Sequence, residues 1–261
     1  MYQALYRKWR PRTFEEVVGQ EHITTTLKNE MIQGKPAHAY LLMGSRGTGK
    51  TTCAKLIAKA VNCRNPVDGS PCGKCDCCRG VDNGSLVDVV EIDAASNNGV
   101  DNIRDLREEA VFLPNIAKYR VYIIDEAHML SVGAVNALLK IMEEPPEHVI
   151  FILATTEVHK IPATIQSRCQ RFERIAPEVI RDRLLFIAGQ EDMTLTEEAA
   201  ALIARIADGG MRDALSLLDL CWAHAHDITV EAVSEAAGLV GQDYLFEIAD
   251  AAATGDFTGA M

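Results

Sequence analysis

The sequence predicts an α/β fold, a parallel sheet covered by helices on both faces, followed by a small all-α domain. Three observations carry that expectation. Short apolar runs recur at Ala39–Met43, Val87–Ile92, Val121–Ile124 and Val149–Ala154, with helical patterns between them. Runs of this length read as buried strands, and strands alternating with helices make a covered parallel sheet. The first run leads into Gly44-Ser45-Arg46-Gly47-Thr48-Gly49-Lys50-Thr51, which fits G-x-x-x-x-G-K-[ST] at every fixed position and is followed by helix formers from Thr52 to Ala60. From Pro177 onward the strand signals stop and the charge balance changes. Residues 1–176 carry 22 Lys/Arg against 21 Asp/Glu, whereas residues 177–261 carry 4 against 16. A break of that size marks a domain boundary.

Taken in order, residues 1–38 begin irregular around Pro11 and Gly19 and become helical through Ile23, Leu27 and Ile32. Cys63 to Arg79 is polar, loop-like and dense in cysteine. Asp93 to Gly99 reads as a loop and Val100 to Val111 as a helix carrying Arg104 and Arg107, whose N-terminus could meet a DNA phosphate. Val135 to Met142 is an amphipathic helix stopped by Pro145-Pro146. Beyond Pro177, helical spacing appears at Val179–Ala188, Glu197–Ala207 and Arg212–Ala223, and again near Val230–Ala237. Asp243 to Ala253 opens one more helix close to Met261, the pattern expected of a truncated chain. No internal repeat is present.

Composition bounds the class. At 261 residues, 48% hydrophobic and 24% charged, the chain is an ordinary globular one. No apolar run approaches the roughly 18 residues a membrane span needs, and the basic stretch Tyr6-Arg7-Lys8-Trp9-Arg10 has no apolar segment behind it, so a cytoplasmic location is expected. The net charge of −11 supplies no attraction for nucleic acid, so any such contact must be local.

Three groups of residues carry chemistry. The first is a nucleotide site. Glycines let backbone N–H groups of the loop turn toward a polyphosphate, and the following helix presents its positive end to the same anion. Lys50 is placed to reach the β/γ-phosphates and Thr51 to ligate Mg²⁺, with Thr52 next on the helix. Asp125-Glu126 ends an apolar strand, where adjacent carboxylates point to opposite faces; one can serve the metal while the other reaches a water aimed at the γ-phosphate. Thr155-Thr156 ends another strand, and either hydroxyl could bond that water or the γ-phosphate.

The second is Cys63 with Cys72-x-x-Cys75-x-x-Cys78, a four-thiolate zinc set in a segment with too few apolar residues for a core of its own. Cys77 adjoins Cys78 and is the alternative ligand, although the C-x₂-C spacing favours Cys78. Cys53, Cys169 and Cys221 read as small core residues. The third is a pair of arginines, Arg168 in Ser-Arg-Cys and Arg212 after Gly209-Gly210-Met211. Spacing alone makes a surface ion pair the commoner role for each; a bidentate phosphate contact is the other.

The phosphate loop, Ile-Ile-Asp-Glu-Ala-His, Ser167-Arg168-Cys169 and Gly210-Met211-Arg212-Asp213 together resemble the clamp-loader group of the AAA+ ATPases. With Tyr6 to Pro11, the cysteines and Asp93-Ala94-Ala95-Ser96, the likeness extends over residues 1–240, closest to the clamp-loader subunits of bacterial DNA polymerase III. It implies an AAA+ ATPase domain over 1–176 with a zinc-binding insert at 63–80, a helical lid over 177–240, and the start of a third, collar domain at 241–261. By resemblance, Asp125 serves Mg²⁺, Glu126 activates water, Thr156 is the first sensor rather than Thr155, and Arg212 beside Met211 is the second. Arg168 is then the finger completing a neighbour's site, and Tyr6, Arg7, Pro11, Val17 and Val18 line the adenine pocket. The cofactors implied are ATP, Mg²⁺ and Zn²⁺. The partners implied are other clamp-loader subunits in a five-membered ring, the sliding clamp and primer-template DNA. Because most of the collar would lie beyond residue 243, this chain alone is expected to bind ATP as a monomer and hydrolyse it poorly. Two competing readings are a nucleotide-holding structural subunit and a DNA-remodelling AAA+ relative. Intact Lys50, Thr51 and Glu126 weigh against the first, the zinc insert against the second.

Overall fold

The computed structural model describes residues 3–166 and 169–239, apart from the side chains of residues 164 and 165. Their contacts divide them into two compact units, one running from Arg10 to Ile175 and one combining the residues up to Trp9 with those from Ala176 on.

The first unit opens after Pro11 with a single 3₁₀ turn at Phe14–Glu16. Helix α1, Glu21–Ile32, buries Ile23 and Leu27, and strand β1 follows at Ala39–Met43. The phosphate loop leads to α2, Lys50–Asn62, and α3 spans Asp76–Asn83. Then come β2 (Val89–Asp93), α4 (Val100–Glu109), β3 (Arg120–Asp125), α5 (Val132–Glu143), β4 (Val149–Thr155), α6 (Ala163–Gln166) and β5 (Cys169–Arg171).

All five strands pair parallel in the order β2-β3-β4-β1-β5. The period-two alternation of the apolar runs sorts the core into two layers. Tyr40, Leu42, Ile123, Ile152 and Ala154 pack against α2 and the arm residues Phe14 and Val17. Leu41, Tyr122, Ile124, Phe151 and Leu153 pack on the opposite face against α4 and α5. Because β1 sits between β4 and β5 while the chain next enters the far edge at β2, the sheet has a topological switch beside β1. The carboxyl end of such a switch is where ligands of open α/β sheets bind.

Helix and strand limits differ from the sequence reading in physically interpretable places. Helix α5 starts three residues before the expected Val135, because the Ser131 side chain accepts the Ala134 N–H and caps it. Helix α3 begins at Asp76, inside the segment read as a cysteine-rich loop, and runs past its end to Asn83. Strand β2 begins at Val89 instead of Val87, since Asp88 turns inward and accepts the N–H groups of Asn115, Ile116 and Ala117 at 2.7, 2.8 and 2.9 Å.

The second unit is helical. Helices α7 (Pro177–Gln190), α8 (Glu197–Ile206), α9 (Met211–His224) and α10 (Val230–Ala236) bury Ile180, Leu184, Ile203, Leu218 and Val233. Pro177 stands in the first turn of α7, and Thr196 and Thr229 cap α8 and α10 by accepting from Ala199 and Ala232. The chain's first residues belong here, although the sequence placed 1–176 in one domain. A one-turn helix at Leu5–Lys8 buries Leu5, whose N–H donates to Asp219 at 2.8 Å, and the Trp9 indole donates to Glu191 at 2.8 Å. The segment expected to begin a third domain at 241–261 lies outside the described residues, as do Ser167 and Arg168.

Candidate nucleotide site and cysteine cluster

Gly44 opens the loop as β1 ends, its N–H donating to the Thr155 carbonyl at 3.3 Å. No side chain fits here: a Cβ would lie 2.6 Å from the Phe172 carbonyl oxygen. Gly49 closes the loop as the N-cap of α2 with φ 104°, a conformation L side chains rarely adopt. The chain thus passes from strand to helix with bare backbone, and the positive end of α2 faces the loop. Ser45 and Arg46 are exposed on it, Gly47 is half-buried, and the Thr48 hydroxyl ties it together by donating to the Ser45 carbonyl at 2.8 Å. The buried Lys50 ammonium donates to the Gly44 and Ser45 carbonyls at 2.9 and 2.8 Å. Burial lowers its pKa from the ordinary lysine value, with the charges of Glu126 and Asp125 pulling the other way. Thr52 accepts from Arg10 Nε at 3.3 Å.

The strand register sets the acidic end of the site. Met43 pairs with Thr155 and Ile124 with Leu153, so the tips of β1, β4 and β3 stand side by side. On β3, Ile123 faces α2, and Asp125 two residues on shares that face. The Asp125 carboxylate accordingly accepts from the Thr51 hydroxyl at 2.8 Å, and its other oxygen accepts the Glu126 N–H at 3.0 Å. Two hard oxygen donors beside the loop's amide groups form a set that suits Mg²⁺.

Glu126 then leaves the strand in the left-handed region, φ 48° and ψ 45°, which costs a non-glycine residue about 1–2 kcal/mol. The turn aims its carboxylate at Thr156, whose hydroxyl donates to it at 3.4 Å. Thr155 is occupied elsewhere: it is buried, accepts the Glu157 N–H at 3.0 Å, and lies 3.2 Å from His128 Nδ1. Two residues absent from the sequence-derived site join it here. His128, in the 3₁₀ turn Ala127–Met129, has Nδ1 3.4 Å from the Glu126 carboxylate and Nε2 3.3 Å from that of Glu157. The sequence signal for His128 was its place at the end of Ile-Ile-Asp-Glu-Ala-His, two residues after Glu126.

Of the residues expected to line an adenine pocket, Pro11, Val17 and Val18 fall in the sheet unit, Val17 being buried in the cluster that holds α2. Tyr6 and Arg7 fall in the helical unit with Met211 and Arg212, where the Arg212 guanidinium lies over the Tyr6 ring at 4.9 Å.

The thiol sulfurs of Cys63, Cys72, Cys75 and Cys78 lie within 4.8 Å of one another, with Cys72 and Cys78 4.0 Å apart. Four thiolates about 2.3 Å from a shared zinc ion would be about 3.8 Å apart, so the donor set fits that metal. The Lys74 N–H, above all, draws the Cys72 thiol down to about 6, whereas burial pushes that of Cys78 up. Cys77 is turned into an apolar cluster with Val81 and Leu86 and takes no part.

Residues 19–177 match a family model described as DNA polymerase III, delta subunit, and residues 179–227 match one described as DNA polymerase III clamp loader subunit, ATPase lid domain. The chain is 58% identical over 252 residues to the DNA polymerase III subunit tau of Bacillus subtilis, covering 95% of this chain and 45% of the relative. The tau subunit of Escherichia coli is 47% identical, covering 96% and 39%. The gamma subunit of Buchnera aphidicola is 43% identical, covering 96% and 70%. Among solved structures, the Thermotoga maritima RuvB Holliday junction branch migration motor superposes with a TM-score of 0.63 over 88% of this chain and 72% of that one, at 19% identity. That likeness establishes the AAA+ fold. The chain spans less than half the length of the Bacillus and Escherichia relatives.

Proposed function

The chain belongs to the tau/gamma family of bacterial DNA polymerase III clamp-loader subunits, and from that premise we propose that it is the ATP-hydrolysing motor subunit of the replicative clamp loader. In this reading ATP binding and hydrolysis, in the cytoplasm, open the sliding clamp and load it on primer-template DNA. The observation that carries it is the meeting of Lys50, Thr51, Asp125 and Glu126 at one strand-to-helix junction.

The loop amides from Gly44 to Thr51 bind the phosphates, and the Lys50 ammonium exchanges its two carbonyl acceptors for phosphate oxygens. Thr51 and Asp125 would hold Mg²⁺, which would supply neutralisation of the polyphosphate charge. Asp125 fixes the Thr51 hydroxyl in place. Glu126 accepts the proton of the attacking water, and Thr156 holds Glu126 and the γ-phosphate in register. Proton acceptance by a positioned carboxylate contributes about 10²–10⁴-fold. Tyr6, Arg7, Pro11, Val17 and Val18 are assigned to the adenine, Met211 and Arg212 to the lid's response to the γ-phosphate, and Arg168 to a neighbouring subunit's nucleotide. Cys63, Cys72, Cys75 and Cys78 would hold zinc, which would stabilise the folded segment around them.

A purely structural, nucleotide-holding role is disfavoured by Glu126 itself, which keeps a strained left-handed backbone beside Thr156. The test is ATP turnover by the full-length protein assembled with its partner subunits, clamp and primed DNA. Clamp and DNA together should raise turnover; Lys50→Ala should lose nucleotide binding, and Glu126→Gln should keep binding but lose about 10²-fold or more in turnover. Turnover that stays flat when clamp and DNA are added rejects the motor reading.

A further inference from the structure

We infer that His128 is a positioning residue for Glu126, holding the carboxylate that activates water and tying it to the segment that leads to Ser167–Arg168. The inference rests on the reading of Glu126 as that carboxylate and names the group that keeps it in place.

His128 lies in a single 3₁₀ turn, with its side chain 8% exposed. Both ring nitrogens face acceptors. Nδ1 lies 3.2 Å from the Thr155 hydroxyl and 3.4 Å from a Glu126 carboxylate oxygen; Nε2 lies 3.3 Å from a Glu157 carboxylate oxygen. The same oxygen of Glu126 accepts from the Thr156 hydroxyl, so the imidazole and the threonine both face one carboxylate oxygen. Without such a partner, a glutamate on a left-handed, strained backbone has several rotamers open to it.

The other side of the ring meets a fixed group. Glu157 donates its N–H to Thr155, and its carboxylate pairs with Lys160 at 2.9 Å and with His159 at 3.5 Å. It thereby anchors the 3₁₀ turn Val158–Lys160, which Gln166 closes from α6 by donating to the Val158 and Ile161 carbonyls at 3.3 and 2.7 Å. Three residues far apart in sequence, Glu126, His128 and Glu157, therefore form one chain of polar contacts. It runs from the nucleotide site to the helix immediately before Ser167 and Arg168. A misplaced base costs about 10²-fold in rate even when binding is intact, which is the effect a positioning residue must show.

The experiment compares His128→Ala, His128→Asn and His128→Gln with wild type and Glu126→Gln in the assembled complex. It measures kcat, the KM for ATP, the affinity for a fluorescent ATP analogue, and the thermal midpoint. An asparagine amide can occupy the place of Nδ1 and a glutamine amide that of Nε2. His128→Ala should lower kcat about 10²-fold with nucleotide affinity within about twofold of wild type. His128→Asn should recover most of the loss, and His128→Gln little of it. Wild-type kcat in His128→Ala overturns the inference, as does equal impairment of all three variants with a lowered thermal midpoint. If Glu126→Gln turns over at the wild-type rate, the parent reading of Glu126 fails instead; loss in Glu126→Gln beside wild-type kcat in His128→Ala removes only His128.

Discussion

At the scale of single residues, the most consequential buried charge outside the nucleotide site is Asp88. It is fully buried, yet its carboxylate accepts three backbone N–H groups and lies 3.9 Å from the Arg120 guanidinium. Burial alone would raise its pKa, but the N–H groups of Ala117, Asn115 and Ile116 outweigh burial and hold it below the ordinary carboxylate range. A depressed native pKa means that the stabilisation is complete above the unfolded value of about 4 and is lost as pH falls toward and through the native one. Asp88→Asn keeps the shape but sets an amide donor against donors, which should cost about 2 kcal/mol at neutral pH. Urea midpoints of both proteins between pH 7 and pH 3 check this: the gap should be widest at neutral pH and narrow below pH 4. A gap independent of pH would show that the charge contributes nothing. Asp88 was not recognisable beforehand, because Val87-Asp88-Val89 continues the strand pattern and only three amides from a distant loop reveal the inward turn.

At the scale of elements, helix α3 shows most clearly what the sequence could and could not disclose. The apolar strands and long amphipathic helices were legible because burial dictates their periodicity, and Gly44 through Thr51 because loop chemistry dictates its residues. Asp76 to Asn83 contains too few apolar residues to look helical. Its order comes from tertiary partners: Cys75 and Cys78 converge with Cys63 and Cys72 at one end, and Cys77 and Val81 pack on Leu86. Asp82 pairs at 2.9 Å with Lys59, a buried residue of α2 that also donates to the Arg12 carbonyl at 3.2 Å. Local propensity contains none of that. His128 and Glu157 were missed for the same reason, since their meeting requires β3 and β4 to be adjacent. If zinc joins the four thiolates, removing it should release α3 first. Wild type should purify with one zinc per chain by metal analysis, and Cys72→Ser with none. Amide exchange should then accelerate through residues 63–83, and the thermal midpoint should drop by several degrees, metal binding in small zinc peptides being worth of order 10 kcal/mol. Metal-free wild type with unchanged exchange over those residues would rule out a structural metal.

At the scale of the whole molecule, fold and function have different evidence. The fold is shared with RuvB at 19% identity, so the architecture by itself does not choose between a branch-migration motor and a clamp loader. Relatives at 43–58% identity choose. What neither a fold nor one chain can supply is the group a second subunit brings. The proposal assigns it to Arg168, and complementation tests the assignment without disturbing any other residue. A complex whose motor subunits all carry Arg168→Ala should bind ATP at every site yet lose about 10³-fold or more in turnover, the scale of an arginine donated in trans. A complex whose motor subunits all carry Lys50→Ala should be inactive because it holds no nucleotide. Mixed in one ring, a Lys50→Ala subunit still offers Arg168 to an Arg168→Ala neighbour with an intact loop, and turnover should return to a measurable fraction of wild type. If Arg168 instead acts on its own subunit's nucleotide, every subunit in the mixture lacks one essential group, and the mixture stays as inactive as its parents.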